Sequence, residues 1–88
     1  MEPKTFYTKN NKSFVVEIDI SLLPERFEVI NALAKRENGD CIVMARETTV
    51  EDEDQAYCTW LYNQSCGFVW GHYRLSRAEA FKDLVERY

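Results

Sequence analysis

The sequence contains a single histidine and three cysteines, side chains that are well suited to general-base and nucleophilic chemistry at neutral pH. A histidine can act as a general base that activates a cysteine nucleophile, so His72 with Cys58 or Cys66 is the pair that an enzyme would need. No acidic residue close in sequence could orient His72, and the chain has no nucleophile elbow or glycine-rich oxyanion loop. We therefore expect no catalytic residues and no enzymatic activity, with a small cysteine–histidine enzyme as the less favoured alternative.

Metal chemistry has the right number of side chains but the wrong spacing. Cys41, Cys58, Cys66 and His72 could together hold zinc, yet the last three are separated by seven and five residues, which matches no zinc-finger pattern. The run Glu51–Asp54 lacks the ligand spacing and central glycine of an EF-hand loop. The sequence predicts no metal site and no cofactor.

Aromatic residues make up 14% of the chain and concentrate between Ala56 and Leu75, which reads as a β-hairpin with its turn at Asn63–Gly67. This stretch holds both tryptophans and three of the five tyrosines. Side chains alternate between the two faces of a strand, so we expect one face to cover the core and the other to be open. Because Trp, Tyr and Arg are enriched at binding hot spots, the predicted partner-binding residues on the open face are Trp60, Tyr62, Trp70, His72 and Arg74. The alternative is a second small core that loops or the N-terminus cover.

The charge of the chain favours a protein partner over a nucleic acid. Its 15 acidic and 11 basic residues give a formal charge of −4, whereas nucleic-acid binding depends mainly on Lys and Arg. Four consecutive acids, Glu51, Asp52, Glu53 and Asp54, extend the predicted binding surface and would suit a basic protein surface. The alternative is that these acids form a solvated loop and keep a small domain soluble.

The order of the predicted elements is β-β-α-β-β-β-α in one domain that spans residues 1–88. Period-two alternation favours strands, whereas an apolar stripe at helical spacing and capping signals favour helices. Phe27, Val29, Ile30, Leu33 and Ala34 make such a stripe in the first helix, and Ala78, Phe81, Leu84, Val85 and Tyr88 make it in the second. The predicted strands are Lys4–Lys9, Ser13–Ile20, Asp40–Glu47 and the two arms of the hairpin, and the predicted helices are Ser21–Gly39 and Ser76–Tyr88.

Short loops favour antiparallel neighbours. The sequence therefore predicts an α+β fold with a single antiparallel sheet of about five strands and both helices packed on one face. On the second arm of the hairpin, Val69, Gly71, Tyr73 and Leu75 are expected to face those helices. The other face of the sheet would be open to water, to a second copy in a homodimer, or to another protein.

No apolar run approaches the 18 residues of a membrane span, and the N-terminus lacks the apolar region of a signal peptide. We therefore expect a cytoplasmic protein with reduced thiols and no membrane partner.

Part of the chain resembles small bacterial proteins to which no activity is attached. The similarity lies in the last third, where a strand ending in Thr59-Trp60 is followed by Trp70-Gly71-His72-Tyr73 and by an acidic helix that contains Glu79-Ala80. It implies a hairpin followed by a helix and carries over no functional residues. Small, acidic, aromatic-rich proteins without a catalytic motif also resemble the inhibitors of phages and mobile elements, so the function we expect is that of a non-enzymatic protein-interaction module, an acidic inhibitor of the anti-defence type.

Overall fold

The computed structural model describes residues 5–9, 15–34 and 40–87 and has an α+β architecture with antiparallel strands. Two strands form a hairpin, four form a sheet, and one α-helix closes the described chain. The elements are β1 (Thr5–Lys9), β2 (Val15–Asp19), a 3₁₀ helix (Ile20–Leu22), β3 (Phe27–Ala34), β4 (Cys41–Glu47), β5 (Tyr57–Asn63), β6 (Gly67–Leu75) and α1 (Arg77–Arg87).

The four-stranded sheet has the order β3-β4-β5-β6, and every neighbouring pair is antiparallel. β4 lies inside the sheet and its first five residues are buried. Cys41, Val43 and Ala45 pack on one face, while Ile42 and Met44 pack on the other. An apolar side chain at every position is what a central strand covered on both faces requires, and this prediction is confirmed.

Both faces of the sheet are covered by this chain. The hairpin of β1 and β2 packs on the first face, where Ile18 is completely buried and the hydroxyl of Thr8 donates a 3.0 Å hydrogen bond to the Ala32 carbonyl. On the second face α1 buries Ala80 and Leu84 against β4 and β5. The expectation of a single sheet with two helices on one face and an open opposite face is therefore wrong.

The first predicted helix is the main error, because its central part forms strand β3. β3 pairs with β4 along its whole length, but the register shifts by one residue at Ile30. This bulge places Phe27, Val29 and Ala34 on the face of the hairpin, while Leu33 lies on the face of α1. In a bulged strand, residues on the same face are two positions apart, except across the bulge, where they are three apart. This mixture of spacings resembles that of an apolar stripe on a helix.

The second predicted helix is confirmed, with a different buried side. Ser76 and Glu79 form the expected capping box: the Ser76 N–H donates to the Glu79 carboxylate at 2.9 Å, and the Glu79 N–H donates to the Ser76 hydroxyl at 3.1 Å. The predicted apolar stripe is largely wrong, because Phe81 and Val85 are 54% and 53% exposed and Ala78 is exposed too. The helix is rotated so that Asp83 and Arg87 join Ala80 and Leu84 against the sheet.

Some expectations fall on residues outside the described ranges. They concern residue 4 of the first predicted strand, residues 13–14 of the second, residues 35–39 of the first predicted helix and the contribution of Tyr88 to the second helix.

Candidate functional site

An open groove of about 1010 Å³ lies on the hairpin side of the four-stranded sheet. The segment 22–27, which enters β3, and the edge strand β6 supply two of its sides. Five aromatic residues line it, Tyr57 among them. Trp60 meets Phe27, Phe68 and Tyr73 edge to face, with ring centroids 5.1, 5.4 and 6.0 Å apart. A concave space of this size, lined by aromatic and by polar side chains, can serve as a binding site.

Trp60 and Tyr62 are not on an open surface, contrary to expectation. They are only 3% and 2% exposed. The rings of Phe27, Phe68 and Tyr73 surround Trp60, and both residues belong to the buried cluster that contains Ile18 of the N-terminal hairpin. Trp60 contributes to the floor of the groove, where its indole N–H donates a 2.9 Å hydrogen bond to the Tyr73 hydroxyl. The Tyr62 hydroxyl instead accepts a bond from the Asp19 N–H at 3.2 Å, which ties the sheet to the end of β2.

Strand β6 does not alternate as predicted, because it contains two bulges. Its register against β5 shifts between the pairs Leu61–Val69 and Thr59–His72, and again before the pair Tyr57–Leu75. Trp70 and Arg74 lie in these two intervals with positive φ angles of 52° and 60°.

Each bulge moves the following side chains to the opposite face. Tyr73 consequently meets Trp60 in the groove and is 55% exposed, which contradicts its predicted position among the core residues under the helices. His72 faces α1, and Trp70, Arg74 and His72 are all exposed, as expected, but they do not share one face. Arg74 lines the groove, and Trp70 is the most exposed large hydrophobic residue of the described chain at 74%.

On the other face of the sheet, His72 belongs to a polar network that the sequence did not reveal. Its Nδ1 lies 2.8 Å from Asp83 Oδ2, and the Thr59 hydroxyl donates to the same oxygen. Arg87 donates to the Thr59 hydroxyl at 3.0 Å and to the Trp70 carbonyl at 2.7 Å. In the sequence no acid stands close to His72, and Asp83 of α1, eleven residues later, is in a position to orient it.

The network determines the charge state of Asp83. Partial burial acts to raise the pKa of this carboxyl group, but the hydrogen bonds from Thr59 and His72 and the positive charges of His72 and Arg87 outweigh it. The pKa of Asp83 is therefore below its usual value, and the carboxylate is ionised at neutral pH.

The cysteines are not placed for catalysis with His72. Burial, reinforced by the charge of Glu47, raises the pKa of Cys58 to about 12, so its thiol is protonated at neutral pH and is a poor nucleophile. Burial, with the nearby charge of Asp40, likewise raises the pKa of Cys41 to about 11. Cys66 is exposed and lines the groove, whereas His72 faces α1 across the sheet. Within residues 5–9, 15–34 and 40–87, no three His, Cys, Asp or Glu side chains are grouped to hold a metal ion.

The four consecutive acids lie in the loop between β4 and β5, which continues from Glu47 and Val50 at one end of the groove. Two of the four side chains have partners within the loop or on the strands beside it. Asp52 accepts from the Asp54 N–H at 3.0 Å and from the Gln55 side chain at 3.2 Å, and Glu53 accepts from Arg46 at 2.6 Å and from the Tyr57 hydroxyl at 3.1 Å.

Comparison with known proteins yields no relative of this chain. No family model matches it, and no curated protein and no solved structure matches it significantly. In the part of the chain that the structure describes, there is no helix of the length and apolarity that a membrane crossing needs.

Proposed function

We propose that this protein is a non-enzymatic interaction module that binds another protein through the aromatic groove and the adjoining acidic loop, as an anti-defence inhibitor of a phage or mobile element would. The observation that carries the proposal is the open groove of about 1010 Å³ with five aromatic residues in its lining. Binding hot spots at protein interfaces are enriched in Trp, Tyr and Arg and lie in well-packed pockets.

The charges around the groove favour a basic partner. Arg26 lies 3.5 Å from Glu47, and Arg46 lies 2.6 Å from Glu53, so these four charges largely compensate each other. The remaining charges near the groove are the three acids Glu51, Asp52 and Asp54 and one base, Arg74, so the balance there is negative. We infer that the partner inserts an apolar or aromatic side chain into the groove and places Lys or Arg near the loop.

Two pairs of variants test this function by affinity capture from extracts of the cells in which the gene occurs, followed by chemical crosslinking. Tyr73→Ala removes a ring from the groove, and Phe81→Ala removes an equally exposed ring from α1 on the opposite face. We expect the first variant to lose the captured partner and the second to keep it. Equal recovery by both variants would exclude the groove as the binding site.

The charge contribution is tested separately. Glu51→Lys/Asp54→Lys reverses two exposed acids of the loop, and Glu17→Lys/Glu86→Lys reverses two exposed acids elsewhere. Both double variants change the net charge equally, so only the first should release a basic partner. If both release it to the same extent, the net charge of the chain and not the loop governs binding.

A further inference from the structure

We propose that α1 is the interface of a homodimer, in which the helices of two copies pack antiparallel along the exposed apolar stripe of Ala78, Phe81 and Val85. The groove lies on the opposite face of the sheet from α1. The inference therefore goes beyond the proposed function, and a dimer of this kind leaves both grooves open to a foreign partner.

The first argument is the orientation of α1, which turns charged residues toward the sheet and apolar residues away from it. The side chains of Asp83 and Arg87 are only 21% and 15% exposed, and both bond to Thr59 of β5. Phe81 and Val85, in contrast, are 54% and 53% exposed. The polar bonds fix the rotation of the helix, so the apolar side chains cannot turn inward without breaking them. An amphipathic helix on a sheet has the reverse arrangement, and adjoining exposed apolar side chains can mark an interaction site.

The second argument is that the exposed stripe is complementary to itself. Ala78, Phe81 and Val85 are separated by three and four residues, so they lie above one another on one side of α1. When two copies of the helix run antiparallel about a twofold axis at the level of residue 83, Phe81 of each copy lies level with Val85 of the other. A twofold interface requires this relation, in which the same surface serves on both copies.

The charges beside the stripe favour a second copy as the occupant. Lys82 and Glu86 form a row on one flank of the stripe, with side chains 77% and 62% exposed and 3.8 Å apart within the helix. The twofold axis brings this flank of the two copies together and reverses the order of the charges. Lys82 of one copy then lies two residues, or about 3 Å along the helix axis, from the level of Glu86 of the other. Each base thus meets an acid of the other copy, and the contact occurs twice.

The size of the contact sets the expected affinity. The helix has 11 residues, and a single pair of such helices buries less than the roughly 1,200 Å² at which standard-sized interfaces begin. We therefore expect a weak, reversible dimer that forms only at high protein concentration.

Analytical ultracentrifugation of the purified protein at concentrations up to about 1 mM tests the proposal. We expect Phe81→Ala to raise the dissociation constant by at least about 10-fold, because it removes the largest side chain of the contact. Tyr7→Ala, at a 61% exposed residue of the N-terminal hairpin on the other side of the sheet, is the matched control and should dimerise like the unchanged protein.

Two charge variants test the antiparallel pairing. Lys82→Glu leaves only acids in the row and Glu86→Lys leaves only bases, so each variant should dimerise at least about 5-fold more weakly than the unchanged protein. Mixed in equal amounts, the two variants should associate with each other more tightly than either does with itself. The mixture separates pairing between copies from effects on the helix alone, since each chain keeps its own repulsion after mixing.

A protein that stays monomeric up to about 1 mM would overturn this inference. A dimer that Phe81→Ala and Tyr7→Ala weaken equally would overturn it too, as would failure of the two charge variants to associate when mixed. None of these outcomes bears on the groove, whose role is tested by the capture of a foreign partner with Tyr73→Ala, so the dimer and the proposed function can fail separately.

Discussion

At the scale of single residues, the two bulge residues of β6 show how much of the site depends on backbone conformation. Trp70 and Arg74 both adopt positive φ, a region in which the Cβ atom of an L-amino acid is crowded. The two bulges leave Tyr73 beside Trp60 in the groove and His72 beside Asp83 on the other face. The backbone conformation at these two residues is locally unfavourable, and it determines which side chains lie on each face of the sheet.

Arg74 allows this cost to be measured. Arg74→Gly and Arg74→Ala remove the same charge, but only glycine relaxes the backbone at a φ of 60°. Glycine relieves the backbone strain in the folded protein, and this gain is larger than the cost of the greater conformational entropy that glycine has in the unfolded chain. We therefore expect the glycine variant to be more stable than the alanine variant by about 0.5–1 kcal/mol in urea denaturation.

The matched control is Lys82, which is exposed inside α1. At a helical position the order should reverse, with Lys82→Ala more stable than Lys82→Gly by about 1 kcal/mol. If alanine is the more stable substitution at position 74 as well as at position 82, the backbone of Arg74 is not strained.

Asp83 gives a prediction of pH dependence. Its pKa is lowered in the folded protein, so its contribution to stability is present above its unfolded pKa of about 3.9 and is lost as the pH falls through the lower folded value. Asp83→Asn should reduce the free energy of unfolding by about 2 kcal/mol at neutral pH, the usual cost of losing hydrogen bonds to a charged group. The difference between the two proteins should shrink as the pH falls below about 4.

Denaturant titrations at several pH values measure this difference. Asp54→Asn, at an exposed position of the acidic loop, serves as the control and should change stability by less than about 0.5 kcal/mol. A stability difference for Asp83→Asn that stays constant down to the lowest pH would contradict the role of its ionised carboxylate.

At the scale of elements, the packing of β6 on β5 depends on a glycine beneath a tyrosine ring. A Cβ atom added to Gly71 would lie 2.6 Å from Cε2 of Tyr73, well inside van der Waals contact. Gly71→Ala must therefore displace Tyr73, which bonds to the Trp60 indole. We expect a loss of about 1–3 kcal/mol in the free energy of unfolding.

A double-mutant cycle measures whether the tyrosine ring is the cause. In the Tyr73→Ala background the same Gly71→Ala substitution no longer meets the ring, so its cost should fall below about 1 kcal/mol. An equal cost in both backgrounds would place the strain in the backbone of Gly71 itself.

Strands and helix ends could be predicted where one local signal is sufficient. The apolar run Cys41–Ala45 predicted a strand buried on both faces, and Ser76 with Glu79 predicted the start of α1. β3 could not be predicted in this way, since the bulge at Ile30 gives a strand the spacing of a helix. Only its pairing with β4, which is a tertiary contact, distinguishes the two.

The site was predictable in composition but not in geometry. The aromatic hairpin does supply the groove, yet a strict period of two cannot anticipate the bulges that separate Trp70, His72 and Arg74. Phe27 was assigned to a helix and therefore missed, although it contacts Trp60 across the sheet. Asp83 was missed as a partner of His72, because the rotation of α1 follows from polar contacts that no sequence period records.

At the scale of the whole molecule, three layers stack in the order β1–β2 hairpin, four-stranded sheet and helix. The sequence predicted β1 and β2 as part of a single sheet and not as a separate layer. The position of this hairpin determines how much of the aromatic face remains exposed. Ile18 is buried completely within the cluster that contains Trp60 and Tyr62. A chain of 88 residues has few other apolar contacts to compensate for losing this one.

Ile18→Ala tests whether the hairpin and the sheet fold as one unit. We expect it to lower the free energy of unfolding by about 2–5 kcal/mol, as truncation of a fully buried aliphatic side chain does. Ile30→Ala, at the 38% exposed bulge of β3, should cost about 1 kcal/mol or less. Circular dichroism and Trp60 fluorescence should follow a single transition in denaturant, because the cover and the floor of the groove share one core. A small cost for Ile18→Ala, or an earlier separate change in Trp60 fluorescence, would mean that the hairpin detaches independently and that the groove can widen without unfolding the sheet.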